Sequence, residues 1–195
     1  MADIEGYIRY ERRRMVQVRR SLVRAIGESR KQPRDLADFY RACADYILYS
    51  QGRVHKEDQA IADRLKTRVP ASEREEHARI DKLLAGIERS RTLTADYRNS
   101  AAGLGTDDMG RQKAFEDATE YLFTEGAKAM GGGRNPMNLS TDRVMTETDW
   151  AEIAHASATE KAEEQRLYAR VQKAAPVGLD PAAMPPTHPQ SWSDY

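Results

Sequence analysis

Asp35 to Arg68 reads DLADFYRACADYILYSQGRVHKEDQAIADRLKTR. Wound as a helix, it gathers Tyr40, Ala44, Ile47, Leu48, Gln51, His55, Asp58, Ile61, Ala62 and Leu65 on one face at steps of three and four. The pattern predicts a helix that starts just past Pro33, ends near Arg68 and turns at Pro70. His55 and Asp58 stand out on this inward face. Burying an imidazole and a carboxylate costs free energy unless something pairs with them.

Further helices flank this one. Helix one is expected from about Asp3 to Ile26, with Ile4, Ile8, Glu11, Met15, Val18 and Leu22 on its stripe; Gly27 and SRKQP end it. After Pro70, Ser72 with Glu75 reads as a capping box that opens helix three, which carries His77, Ile80, Leu83, Leu84 and Ile87 to about Asn99. Helix four is expected over Asp107 to Met130, with Phe115, Ala118, Tyr121, Leu122 and Glu125 on one stripe. Gly131, Gly132 and Gly133 lack the pattern of a phosphate loop and follow a helix, so they read as a terminating loop. Thr146 and Asp149 cap a further helix that continues to about Lys173, and the segment from Ala175 is a Pro-rich tail that packs on the helices or is disordered. No window alternates as a strand does, so the fold class is all-α. The domains are 1–145, an antiparallel up-down four-helix bundle, then 146–174, an additional C-terminal helix, and the tail 175–195.

Charge narrows the function. The 195 residues carry 31 basic and 31 acidic side chains, without the basic surplus that nucleic acid requires. RYERRRMVQVRR reads as a helix with one solvated face. The single cysteine, Cys43, reads as a buried packing thiol, and no zinc pattern accompanies it. With no apolar leader or membrane span, a soluble cytoplasmic protein is expected. No arrangement of Ser, Cys and His suggests a nucleophilic enzyme.

Metal-capable residues recur on the stripes that supply the core. Glu11 lies on helix one, His55 and Asp58 on helix two, Glu73, Glu76 and His77 on helix three, and Glu125 on helix four. Residues three or four apart share a helix face, as His55 and Asp58 do, and as Glu73 and His77 do. Mirroring the helices about Lys31–Gln32 and Val69–Pro70 puts Glu11 about level with the low fifties, close to His55, and Asp58 about level with Ile80, one turn from His77. Carboxylates and imidazoles from facing helices suit iron or manganese. The competing reading makes His55 a satisfied core residue and the acidic run of helix three a solvated first turn.

VHKEDQAI, EREEHARIDKLLAGIE, EYLFTEGAKAM and LSTDRVMTETDWAEIA together resemble the hemerythrin-like, or HHE, family, over about Ile4 to Ala156. The resemblance implies a four-helix bundle with a non-haem di-iron centre that binds or senses oxygen, stores iron, or acts on peroxide or nitric oxide. His55 matches the His of an HxxxE motif whose fourth-following residue is here Gln59, with Asp58 as the substitute carboxylate. The HxxxH motif becomes Glu73 to His77, and Tyr121 stands where a His is expected, one turn before Glu125. Two iron ions, or manganese, held by Glu11, His55, Asp58, Glu73 or Glu76, His77 and Glu125 are expected to react with dioxygen or peroxide. Tyr121 is either a redox-active phenol in such an oxidoreductase or a packed residue bonded to Glu125. The alternative is a metal-free, degenerate bundle that serves as an interaction module or homodimer.

Overall fold

The computed structural model describes residues 4–105, 108–129 and 141–185, with side chains from residue 12 onward except that of residue 142. Helix α1 spans Ile4–Lys31, α2 Ala37–Arg68, α3 Arg74–Ala102, α4 Met109–Ala129, α5 Thr141–Val144, α6 Glu147–Ile153 and α7 Ala158–Ala174. A 3-10 turn follows at Pro181–Ala183, and no strand occurs among the described residues. No helix among them is long and apolar enough to cross a membrane.

Central to the assembly is α2, which packs against α1, α3 and α7 and touches the short helices α5 and α6. Its first half meets the larger core: Val18, Leu22 and Ile26 of α1, Tyr97 of α3, Phe115 and Leu122 of α4 and Val171 of α7 surround Tyr40, Cys43, Tyr46 and Ile47. Burial pushes the Cys43 thiol well above its ordinary pKa, as befits a packing residue. The last turns of α2 meet a smaller core, where Ile61, Ala62, Leu65 and Val69 join Ile80 and Ile153. Leu36 has no side-chain cap to offer α2. Its backbone N–H instead donates to Oε1 of the buried Gln112 at 2.9 Å, and Gln112 Nε2 donates to the Arg34 carbonyl at 2.9 Å. One amide thus ties the α1–α2 connection to α4.

Three local features depart from the sequence reading. Helix α1 runs through Gly27 to Lys31, because an exposed glycine costs a helix only about 1 kcal/mol, while Pro33 forces the chain to leave helical geometry before it. The N-cap of α3 is Glu73, with no side-chain cap bond; the Ser72–Glu75 box does not form. Instead the Pro70 carbonyl accepts from the Glu73 N–H at 2.9 Å. Thr146 and Asp149 do form a capping box, but the helix they open ends at Ile153. A second box, Ser157 with Glu160, starts α7 separately. Asp149 also takes both guanidiniums of Arg64 and Arg68, which fastens α6 to α2.

The Pro-rich segment packs as far as residue 185. Gly178, at φ 83°, sits at the third position of a turn closed by the Leu179 N–H on the Pro176 carbonyl at 3.0 Å. That turn delivers Leu179 and Met184 into the larger core beside α1. Ser21 Oγ donates to the Leu179 carbonyl, and Gln17 Nε2 to that of Met184 at 2.9 Å.

Candidate metal centre

On α2 the helical spacing turns Gln51, His55 and Asp58 inward, and all three are buried. His55 Nε2 lies 2.8 Å from Ser90 Oγ on α3 and 2.9 Å from Gln51 Nε2. Arg19 of α1 donates to Gln51 Oε1 at 2.6 Å, which orients the amide so that its NH2 faces the imidazole. His55 Nε2 is therefore an acceptor, with its one lone pair already addressed. Burial, then the positive charges of Arg91 and Arg19, push the His55 pKa down to about 4, so the ring is neutral at pH 7.

Asp58 is 2 % exposed, and its Oδ1 accepts from Arg12 Nη2 at 3.0 Å. Burial raises its carboxyl pKa and Arg12 pulls it part of the way back. The neighbouring Glu57 is buried too, accepting from the same Arg12 nitrogen at 3.4 Å and from Arg53 at 3.4 Å. On the α7 side, Glu164 receives the Tyr46 hydroxyl at 2.7 Å and Arg14 at 2.7 Å. Tyr40 donates to Glu116 of α4 at 2.8 Å. Between α1, α2 and α7 lies a cavity of about 20 Å³ bordered by Arg12, Met15, Tyr49, Arg53, Glu57 and Glu164. That is room for one water-sized molecule, not an organic substrate.

The remaining candidates lie elsewhere. The side chain of Glu11 falls outside the described residues. Lys66 reaches Asp81 at 2.9 Å and His55 reaches Ser90 at 2.8 Å, and these two bonds fix the register of α2 on α3. Asp58 is consequently level with Ile87, not Ile80, and His77 sits about ten residues, or roughly 15 Å, further along. The cause is the connection: it occupies residues 69–73, so the mirror point lies beyond Pro70. Glu73 binds Arg143 at 2.5 Å, and buried Glu76 meets Arg79 at 3.3 Å. His77 is half-buried, and its Nε2 is buried with no hydrogen-bond partner among the described residues. Glu125 is flanked by Lys128 at 2.6 Å and Arg89 at 3.4 Å, which hold its carboxyl below the usual range. Tyr121 is 55 % exposed, with its ring turned outward.

Among the described residues no three His, Cys, Asp or Glu side chains converge where an ion could sit. Among the described residues the donor set does not fit a dinuclear metal: Asp58 already carries a guanidinium, His55 Nε2 has spent its lone pair, and His77 is at another level. What the sequence reading missed is the set of partly buried arginines that reach these groups. Arg12 and Arg19 share a face with Met15 and Leu22, at steps of three and four, which was the available signal. Compared with protein-family models, with curated proteins and with solved structures, the chain matches none.

Proposed function

We propose that the chain is a metal-free, hemerythrin-like up-down bundle of four antiparallel helices that serves as an interaction module, with self-association its simplest form. The antiparallel reading is supported by bond pairs that run in opposite senses. Arg12–Asp58 and Arg19–Gln51 relate α1 to α2 in this way, as His55–Ser90 and Lys66–Asp81 relate α2 to α3. Arg89–Glu125 and Arg111 to the Gly103 carbonyl do the same for α3 and α4.

The observation that carries the reading is the Arg12–Asp58 pair, a protein cation where the resemblance implies a metal ion. Balanced charge leaves no net repulsion between copies, and α4 exposes Met109 and Tyr121 as large contact groups. Metal analysis of protein expressed with iron or manganese supplied tests it. Fewer than about one tenth of an equivalent per chain is expected, with concentration-dependent dimers in sedimentation equilibrium. About two equivalents, with oxo-bridge absorption in the near ultraviolet, would sink it in favour of a dinuclear centre that reacts with dioxygen or peroxide.

A further inference from the structure

Glu57 and Asp58 place two carboxylates side by side on α2, 6 % and 2 % exposed. Two anions that deep need positive charge supplied within the fold. It comes from two guanidiniums. Arg53, one turn earlier on α2, takes Oε1 of Glu57 at 3.4 Å; Arg12 of α1 takes Oε2 of Glu57 at 3.4 Å and Oδ1 of Asp58 at 3.0 Å through a single nitrogen. Glu57 is shared between two cations, whereas Arg12 is the one that reaches Asp58 among the bonds described. Among the bonds described, two guanidiniums thus meet two carboxylates. An ion entering here would have to displace Arg12, and His55 could not complete its coordination, because its Nε2 faces Ser90 and Gln51.

We infer that the Arg12 guanidinium is the resident cation of this interior: it supplies Glu57 and Asp58 with the charge that a metal ion supplies in metal-holding helical proteins, so the fold is complete without one. This rests on the metal-free reading and adds to it a named side chain with a measurable coupling. Arg12 is planar and permanently charged, and it spans two acceptors at once, which suits it to a task that a lysine's point charge would do less well. It also joins α1 to α2 at the level where the apolar packing of the larger core stops.

Thermal midpoints at pH 7 of the wild type, Arg12→Met, Asp58→Asn and the double variant, each with EDTA and with added Mn2+, test the inference. The wild type is expected to keep its midpoint under both treatments. Arg12→Met should fall by about 5–10 °C, since it strands a buried carboxylate whose partner was itself partly exposed. Adding Asp58→Asn should recover at least half of that loss, because the stranded charge is gone. Should Arg12→Met fail to fold, the double variant must still fold. An Arg12→Met midpoint equal to the wild type, or a double variant no more stable than Arg12→Met, overturns the inference. The two failures are separable: bound metal with intact Arg12–Asp58 coupling defeats the metal-free reading alone, and absent coupling in metal-free protein defeats the role of Arg12 alone.

Discussion

From Tyr40 to Ile47, the inward face of α2 meets rings and aliphatics; from Gln51 to Asp58, the same face meets arginines, a serine and an amide. In the first stretch the hydrogen-bonding groups are the tips of tyrosines, whose hydroxyls end on Glu116 and Glu164, beside the packed Cys43 thiol. Packing does the rest: the Phe115 ring stands 5.3 Å from that of Tyr40 and 5.3 Å from that of Tyr97. In the second stretch shape matters less than pairing, because each group is tolerable only while its partner stays. Removing a ring from the first leaves a hole; removing a partner from the second leaves a charge or an unspent donor. The two halves should therefore respond differently to substitution, the first through volume and the second through coupling.

The largest effect is expected in the packed half. Phe115→Ala should cost about 3–5 kcal/mol in urea unfolding with an unchanged slope, since the ring is fully buried between two tyrosines. A cost below about 1 kcal/mol would show that this half is not packed as described.

In the paired half the sharpest test is pH. His55 binds its proton at about 4 in the folded protein and near 6.5 when unfolded. Between these values the unfolded state holds more protons, so stability should fall as pH drops from 6.5 towards 4 and level off for this group below that. The loss traceable to His55 should be about 2–3 kcal/mol. Asp58, with its raised carboxyl, works in the opposite sense just above 3.8. His55→Gln isolates the imidazole: its stability curve should be flatter over this window than that of the wild type. Equal slopes would mean that His55 is not held neutral.

The smallest effect falls where the two halves meet. Tyr46→Phe keeps the ring against Tyr168, at 5.7 Å between centroids, and deletes only the hydroxyl on Glu164. A loss of about 1–2 kcal/mol is expected by the same urea titration, because Arg14 still holds the carboxylate. A loss as large as that of Phe115→Ala would place Tyr46 in the coupled half.

Much of this was legible as periodicity. The spacing of Ile47, Gln51, His55, Asp58 and Ile61 marks one face, and all five are buried. Helix ends were harder to read, because they depend on local bonds that compete with pattern. Ser157 and Glu160 cap each other and split what reads as one helix from Thr146 to Lys173, while Ser72 and Glu75, of similar type, do not pair. Register was misread because it depends on how a five-residue connection is spent, and the two extra turns moved His77 away from Asp58. The arginines were hidden for a different reason. A long side chain can lay its stem along apolar surface and still deliver its charge to a buried partner, so Arg12 and Arg19, though on the stripe of Met15 and Leu22, read as part of a solvated basic run.

Gln17 and Ser21 find their partners 167 and 158 residues later in the chain, at Met184 and Leu179. Contacts so distant in sequence close the largest loop among the described bonds, and they form late whenever folding begins with neighbours. At ordinary rates of synthesis roughly 10–30 s separate the emergence of Ser21 from that of Leu179. A nascent chain stopped short of Leu179 would therefore display a strip of α1 that the finished protein keeps covered.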